Sequence, residues 1–418
     1  MILRHAGASR RVTALHADGA RVNEWLSRFD QVGRSAGGIN RVAYSDADLA
    51  GRRFTQQLFA DAGLATRVDA AGNIWARIDG SQRDATPIII GSHVDSVTDG
   101  GNFDGPVGSF AAIEVARTLK ERGEALQHPL DVVVWANEEG GTVGSKCAVG
   151  EVATVNLDAV ARSGVSIREG IGRIGGDIAR LETAVRRKGS VHCYLELHIE
   201  QGGTLERTGR DIGTVIGIVG LRWYTVTVTG FANHAGTTPM DQRQDALLAA
   251  SKFAVALNET VRAEPGRQVV TVGRMIPSPN TQNVIPGRVE TSIDLRDLDE
   301  AKLDRFAARF RQIASEIGQS TGTTFEFQEL IRSKPAMSDD RLMAAIDASA
   351  DSLGLSSQRM PSGAGHDAQE LGLICPMAMI FVPSVGGISH SPREFTKAKD
   401  VANGVDVLLN AVRRADTL

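Results

Sequence analysis

The first half of the chain alternates between two hydrophobic periodicities. Residues 45–63 and 107–123 carry apolar side chains at helical spacing, and the first of these segments opens on capping residues and closes on Gly63. Short apolar runs at 87–90 and 130–136 predict buried strands. Because strands alternate with helices, we predict an α/β fold whose main sheet is largely parallel and carries helices on its faces.

From about residue 211 the hydrophobic pattern changes. The predicted order is strand 222–230, helix 245–263, strands 268–276 and 288–297, helix 301–318 and strand 323–330. This β-α-β-β-α-β order is typical of a ferredoxin-like domain. The α/β pattern then resumes, so we predict two domains. A discontinuous larger domain comprises residues 1–210 and 331–418, and a smaller α+β domain, 211–330, is inserted into it.

Composition narrows the class of protein. The chain has 418 residues, and 46 Lys and Arg against 50 Asp and Glu give a formal net charge of -4, which argues against a nucleic-acid partner. No apolar run reaches the roughly 18 residues of a membrane span, and the N-terminus lacks an apolar core of signal-peptide length. Cys147, Cys193 and Cys375 lie far apart, as reduced thiols do. We expect a soluble cytoplasmic protein with no membrane partner.

The segment GSHVDSVTDGGNFDGPVG, residues 91–108, follows the predicted strand at 87–90. His93 and Asp95 point to the same side because side chains alternate along a strand. The glycines that follow allow the backbone to turn back and bring Asp104 to the same place. A lone His-x-Asp in a glycine-rich segment is commonly a surface turn, so a metal site requires partners elsewhere in the chain.

Three further segments offer such partners. WANEEGG places Glu138 and Glu139 just past a strand, and two adjacent carboxylates in a partly dry site need a cation. ELHIEQGG alternates as a strand and carries His198, and GGISHSPREF sets His390 in a turn after the predicted strand at 376–384. Taken singly, each has an ordinary interpretation, namely a solvated acidic loop, a surface or core histidine, and a loop histidine.

Taken together, these strand ends supply the residue types that zinc or manganese prefers. Three histidines and two carboxylates are enough for two metals if one carboxylate bridges them. A two-metal site lowers the pKa of a bound water to about 7 and polarises a carbonyl, which suits hydrolysis of an amide or ureide. The predicted metal ligands are His93, Asp104, Glu139, His198 and His390.

These segments, with GFANHAGTTPMDQRQDAL, NVIPG and SGAGHDA, resemble the hydantoinase/carbamoylase branch of the M20 metallopeptidase group. That branch includes N-carbamoyl-L-amino-acid hydrolases, β-ureidopropionases and allantoate amidohydrolases, and the resemblance runs from roughly residue 20 to the end. It implies a zinc-hydrolase catalytic domain with two divalent ions, Zn or Mn, bridged by Asp104. It also implies that Glu138 is the general base and that Asp95 hydrogen-bonds the His93 imidazole. The division of ligands between the ions stays open.

By the same resemblance, the inserted domain is a lid and dimerisation domain, and the protein is a homodimer. His234 would cross the dimer interface to stabilise the oxyanion, and Asn283 and Arg296 would hold the substrate carboxylate. Without the resemblance, His234 could be a loop histidine, and Arg296 could pair with Asp294 or Asp297 on the surface. Gln201 and His366 match residues that line the substrate site.

The function that these observations predict is metal-dependent hydrolysis of the carbamoyl C–N bond of an N-carbamoyl-L-amino acid or related ureide, releasing ammonia, carbon dioxide and the amine. Allantoate, ureidoglycolate, dipeptides or N-acyl amino acids are alternative substrates. A thiol amidase built on Cys147, and a binding protein without catalysis, are alternatives of other classes. The chain departs from the branch next to the acidic pair, in a segment that borders the substrate pocket of relatives. Members of the branch usually have Arg-Phe where this chain has Thr142 and Val143. They also have a Gly-Ser-Arg a little later, which this chain lacks in the segment up to Val152.

Overall fold

A computed structural model describes residues 13–418. The first twelve residues, part of the N-terminus predicted to lack a signal peptide, lie outside the described residues. Within the described part of the chain, no helix is long and apolar enough to cross a membrane. The chain forms two compact units. The larger one extends to Ile216 and includes Met337–Ser362 and His366–Leu418, and the smaller one comprises Gly217–Ala336 and Gly363–Gly365.

The α-helices of the described residues are distributed over both units. In chain order they are α1 Gly19–Phe29, α2 Asp46–Asp61, α3 Pro106–Arg122, α4 Val143–Val149, α5 Ile167–Arg173, α6 Thr204–Thr208, α7 Ala246–Ala263, α8 Glu300–Thr321, α9 Asp340–Ser352, α10 Asp367–Leu371 and α11 Ala398–Ala415. Several of them begin where the sequence supplies an N-cap. The Ser45 side chain, for example, accepts a hydrogen bond from the Asp48 amide at the start of α2.

The β-strands likewise belong to both units. In chain order they are β1 Thr66–Val68, β2 Ile74–Ile78, β3 Ile88–His93, β4 Leu130–Trp135, β5 Cys193–Ile199, β6 Ile212–Ile218, β7 Gly220–Thr229, β8 Asn233–His234, β9 Val269–Thr271, β10 Met275–Ser278, β11 Val284–Ile285, β12 Arg288–Asp297, β13 Thr324–Ser333, β14 Ala336–Met337, β15 Ser357–Ser362 and β16 Met377–Val382.

The larger sheet has the order β1-β2-β4-β3-β5-β16-β6-β14, and β15 also pairs with β6. Its central strands β4, β3, β5 and β16 are parallel, while β1, β2 and β6 add antiparallel neighbours. The four parallel strands are buried along their whole length, which explains their nearly continuous apolar sequences. Helices α3 and α11 pack on the core side of this sheet. The predicted α/β fold is therefore confirmed.

The smaller unit contains a separate sheet with the order β10-β12-β7-β13, in which β9 also pairs with β12. Strand β7 alternates buried and half-buried residues because α7 and α8 cover one face. The strand predicted at 268–276 is instead two short strands. Strand β9 pairs with Asp294–Arg296 and β10 with Arg288–Thr291, and the chain leaves the ladder between them at Gly273. The lid and dimerisation role of this unit stays a prediction.

Candidate metal centre

The predicted metal ligands of the larger unit converge at one edge of its sheet. His93 is the last residue of β3, and His198 lies near the end of β5. Glu139 follows β4, and His390 follows β16 after a short loop. Strands β4, β3, β5 and β16 are adjacent and parallel, so their carboxyl ends meet. The sequence placed these residues on separate strand ends, and the sheet brings them together.

Asp104 lies between the three imidazoles. Its Oδ1 is 3.5 Å from Nε2 of His93 and 3.3 Å from Nε2 of His198. Its Oδ2 is 3.2 Å from Nε2 of His390. The next residue, Gly105, has φ +82°, and a Cβ there would lie 2.5 Å from the His93 ring. Only glycine allows the loop to pass this close to the imidazole before α3 begins.

The potential ligand atoms form two groups that share this carboxylate. His93, Asp104 and His198 offer atoms within 4.8 Å of one another, and so do Asp104, Glu139 and His390. Such sharing is what a carboxylate that bridges two cations requires. The grouping also suggests an answer to a question that the sequence left open, namely which ligands belong to which ion.

The chemistry of this donor set fits divalent cations. The buried Nε2 atoms of His93 and His198 have no hydrogen-bond partner among the described residues. Unpartnered buried polar atoms are costly, and a metal ion would satisfy both. No Lys or Arg of residues 13–418 pairs with Asp104, Glu138 or Glu139, whose cationic neighbours are histidines. Imidazole and carboxylate together suit zinc and manganese.

Glu138, the predicted general base, faces the same centre. Its Oε2 lies 3.7 Å from Nε2 of His93. Burial raises the pKa of Glu138 well above its usual range, because desolvation penalises the charged form, and Asp367 and Glu139 add repulsion. Burial also raises the pKa of Glu139 to about 7, with a further contribution from Asp104. These shifts describe the metal-free centre, in which adjacent carboxylates lack a strong counter-charge.

Asp95 is at the centre, but its side chain does not make the contact that the resemblance implied. Nδ1 of His93 lies 3.1 Å from the backbone carbonyl of Asp95, and 3.7 Å from its carboxylate Oδ1. The carboxylate instead accepts hydrogen bonds from the amides of Glu138 and Glu139, at 3.3 and 3.2 Å. The backbone of Asp95 thus orients the imidazole, and its side chain fixes the loop that carries the acidic pair.

Gln201 and His366 lie beside the ligands in the larger unit. The Gln201 side chain donates to Oδ2 of Asp104 at 2.6 Å. His366 is buried, and its ring packs edge-on against that of His198, with 4.5 Å between centroids. Its Nε2 lies 2.8 Å from the Ser362 hydroxyl. Burial lowers the pKa of His366 well below its usual range, so the ring is neutral near pH 7.

Glu394 is a residue of this centre to which the sequence analysis assigned no role. Its Oε1 accepts the amides of Phe103 and Asp104, and its Oε2 accepts the Ser389 hydroxyl and the His390 amide. It therefore ties the loop of the shared carboxylate to the loop of His390. The sequence did contain a signal for this role, since Glu394 belongs to the motif GGISHSPREF and lies four residues after His390.

The other three predicted site residues belong to the smaller unit. Strand β8 pairs with β11, which brings His234 beside Asn283, whose carbonyl accepts the Ala235 amide at 3.0 Å. His234 is exposed, and its Nδ1 accepts the amides of Gly236 and Thr237 at 3.0 and 3.2 Å. Because Nδ1 is an acceptor, the N–H of the ring is at Nε2, where it can be donated outward.

Arg296 has partners within the smaller unit. Its Nε and Nη2 donate to the two oxygens of Asp294 at 2.9 and 2.7 Å, and its Nη1 donates to the Gly363 carbonyl at 2.7 Å. This is one of the ion pairs considered from the sequence. The hydrogen bond to Asp294 raises the pKa of Arg296, so the guanidinium keeps its charge. An anionic substrate group would have to share or displace these contacts.

Comparison with known proteins agrees with this architecture. Residues 89–414 match the model of Peptidase family M20/M25/M40. The N-carbamoyl-L-amino acid amidohydrolase of Geobacillus stearothermophilus is 37% identical over 400 residues, covering 94% of this chain and 98% of that protein. The allantoate amidohydrolase of Bacillus subtilis (strain 168) is 37% identical over 392 residues, covering 92% and 94%.

A solved structure shows the same fold. The amidase of the hydantoinase/carbamoylase family from Burkholderia multivorans superposes with a TM-score of 0.88 at 36% identity, covering 96% of this chain and 98% of that one. The resemblance inferred from seven short motifs thus extends over nearly the full length in both sequence and structure. The chain belongs to peptidase family M20/M25/M40, and within it to the hydantoinase/carbamoylase branch of hydrolases.

Proposed function

We propose that this protein hydrolyses the carbamoyl C–N bond of an N-carbamoyl-L-amino acid or a related ureide, releasing ammonia, carbon dioxide and the amine. Two divalent ions, Zn or Mn, would be its cofactors. The observation that carries the proposal is the position of Asp104, whose two oxygens face different imidazoles in two groups of potential ligands. The names of the relatives support carbamoyl and ureide substrates as a class.

The protein's own groups account for proton transfer. When bound, the ions would supply a Lewis acid for the substrate carbonyl and lower the pKa of water. His93, His198, Glu139, His390 and the shared Asp104 would hold them. The Glu138 carboxylate, 3.7 Å from His93, takes a proton from the attacking water and then returns it to the leaving nitrogen. The hydrogen bonds from the two amides to Asp95 keep this carboxylate in position.

Residues of the smaller unit support a homodimeric active site. Arg296 and Arg288 lie at opposite ends of β12, which separates them by about 26 Å along the strand. Asn283 and His234 lie beyond the Arg288 end. If Arg296 and His234 contact one small substrate, as proposed, they come from different chains. Exposed apolar side chains on this unit offer a surface for a second copy, namely those of Phe231, Met240, Leu248 and Val255.

The choice of substrate within this class is the most specific part of the proposal. Arg296 would bind the carboxylate that N-carbamoyl amino acids, allantoate and ureidoglycolate all carry. Thr142, at the start of the atypical segment, has φ +55° and donates its hydroxyl to Glu370 at 2.9 Å, so the segment is anchored. A cytoplasmic location and the lack of a nucleic-acid partner rest on composition.

The thiol mechanism is disfavoured by the environment of Cys147. The side chain is buried in an apolar cluster, and burial raises its pKa to about 11. A thiol with that pKa supplies little thiolate at neutral pH. The amine of Lys146 donates to the Gly141 carbonyl at 2.9 Å. The cysteine therefore has the properties of a core residue.

The test is ammonia release from N-carbamoyl-L-amino acids, N-carbamoyl-β-alanine, allantoate and ureidoglycolate by protein loaded with zinc or manganese. We expect one group of substrates to be turned over, activity to disappear with a chelator, and activity to return with metal. Dipeptides and N-acyl amino acids serve as the comparison set. Turnover that resists chelation but is lost on alkylation of thiols would overturn the proposal, and so would turnover of dipeptides alone.

A further inference from the structure

A second concave site lies on the larger unit, at the opposite end of β4 from the metal centre. It is a cleft of about 890 Å³ beside Asp131, the second residue of that strand. Asp131 and Glu138 are seven positions apart, which corresponds to about 23 Å in an extended chain. Side chains from three separate segments give the cleft its charge: Arg67 of β1, Arg77 of β2, and Arg186 and Arg187 of the segment before β5.

One carboxylate serves two of these guanidinium groups. Asp131 is only 3% exposed, and its oxygens accept Nε and Nη2 of Arg77 at 2.6 and 2.9 Å. Its Oδ2 also lies 3.2 Å from Nη2 of Arg186. With both oxygens occupied, Asp131 positions the guanidinium groups. The remaining N–H groups, Nη1 of Arg77 and Nε and Nη1 of Arg186, have no acceptor among the described residues.

The second carboxylate of the cleft does not neutralise an arginine. Asp69 accepts hydrogen bonds from the Trp75 indole at 2.7 Å and from the Asn73 side chain at 3.0 Å. The side chains of Arg67 and Arg187 form no ion pair or hydrogen bond within residues 13–418. Four arginines against two aspartates leave the cleft with a formal charge of +2.

Two of the four guanidinium groups lie over a buried aromatic ring. The guanidinium carbon of Arg186 lies 4.2 Å from the centroid of the buried Trp75 ring, and that of Arg67 lies 5.5 Å from it. Trp75 in turn packs edge-on against Trp135, with 5.3 Å between centroids. Burial lowers the pKa of Arg186, and repulsion from Arg67 and Arg77 adds to the effect. A bound anion would relieve that repulsion.

We propose that this cleft is a binding site for the phosphate group of a small molecule. Phosphate carries up to two negative charges and several acceptor oxygens, which match a +2 cleft with unused guanidinium donors on more than one side. The cleft volume lies in the range typical of small-molecule sites. The hydroxyl-bearing residues Thr66 and Ser190 also line it. The site does not depend on the proposed reaction, since it uses none of the metal-centre residues.

The metal-loaded protein would be titrated at fixed ionic strength with inorganic phosphate, pyrophosphate and adenosine 5′-monophosphate. Binding would be followed by calorimetry and by tryptophan fluorescence, which reports on the arginines stacked over Trp75. We expect saturable binding, weakened about ten-fold or more in a variant with Arg67→Ala and Arg187→Ala. A control with Arg53→Ala and Arg207→Ala, which removes two exposed arginines outside the cleft, keeps the wild-type affinity.

Three results would overturn the proposal: no saturable binding, equal weakening in both double variants, or binding that disappears with the metals and ignores Arg67 and Arg187. The last would assign phosphate to the metal centre. Tighter binding of the nucleotide than of inorganic phosphate would identify an organic phosphate as the ligand, and equal affinity would identify the free anion. Both double variants should retain wild-type melting temperature and ureide turnover, which separates loss of binding from misfolding.

Discussion

The two ends of strand β4 carry acidic residues in opposite situations. At its start, Asp131 accepts hydrogen bonds from Arg77 and lies beside Arg186, so its charge is compensated by the protein. Past its end, Glu138 and Glu139 have only imidazoles as cationic neighbours in the described chain. In the first arrangement the carboxylate is fully compensated and the cations are in excess, whereas the second has an excess of negative charge. The surroundings of a carboxylate, and not its presence alone, therefore distinguish a structural role from a cation site.

Removal of the shared carboxylate should have the largest effect. In Asp104→Asn, the charge that both groups share is lost, and one of the two oxygens becomes an NH2 group that cannot bind a cation. Loss of a residue that only contacts a metal ligand typically lowers metal affinity by about 10- to 100-fold, and we expect a larger loss here. Turnover should fall below detection. Metal content after dialysis, measured by mass spectrometry, gives the result, and Asp84→Asn, an exposed loop change, is the control. Full retention of both ions would contradict the bridging role.

Glu138→Gln should reduce catalysis while leaving the ions in place. Loss of a general base typically lowers kcat by about 10²- to 10⁴-fold. Because Glu138 lies outside both groups that share Asp104, metal content should stay at the wild-type value. Single-turnover ammonia release and metal analysis on the same sample check both statements. Glu182→Gln, an exposed change, controls for the loss of one charge. Unchanged turnover would refute the assigned role.

How far the sequence predicted this centre can be judged from particular residues. His93, Glu139, His198 and His390 were placed correctly at strand ends, because parallel strands present their carboxyl ends at one edge. The grouping of ligands around Asp104 was not predictable, since it depends on the path of a loop past Gly105.

The contacts that differ from expectation also depend on the path of loops. The carboxylate of Asp95 accepts backbone amides that only the folded loop brings near. The break between β9 and β10 arises at Gly273, where no periodicity marks it. From the sequence, Arg296 could bind a substrate carboxylate or pair with a neighbouring aspartate, and the structure shows its pairing with Asp294. Strand periodicity thus identified the elements, whereas loop geometry decided which polar atoms meet.

A change at the other end of β4 should have a moderate effect of a different kind. Asp131→Asn removes the charge between Arg77 and Arg186, and the latter is only 17% exposed, so the free energy of unfolding should fall by about 1–2 kcal/mol. Metal content should not change. Chemical denaturation of the metal-loaded protein gives the first quantity. If this variant lost metal as well as stability, the two ends of the strand would not be independent.

The smallest predicted effect is a loss of stability with rising pH that only the metal-free protein shows. The pKa of Glu139 is raised to about 7 by burial, and that of His390 to about 8 by its hydrogen bond to Asp104. A group whose pKa is raised in the folded state stabilises the fold below its unfolded pKa, and that contribution is lost as pH rises through the folded value. The metal-free protein should therefore lose stability between about pH 5 and 8.

Bound cations would reverse this trend, because metal ligands must be deprotonated and their charges are then compensated. The gap between the melting temperatures of metal-loaded and metal-free protein should consequently widen from pH 5 to pH 8. In Glu139→Gln the metal-free curve should be flatter, since one of the groups with a raised pKa is gone. Parallel curves for the two forms across this range would mean that the charges of Glu139 and His390 are already compensated without metal, as that of Asp131 is at the other end of the strand.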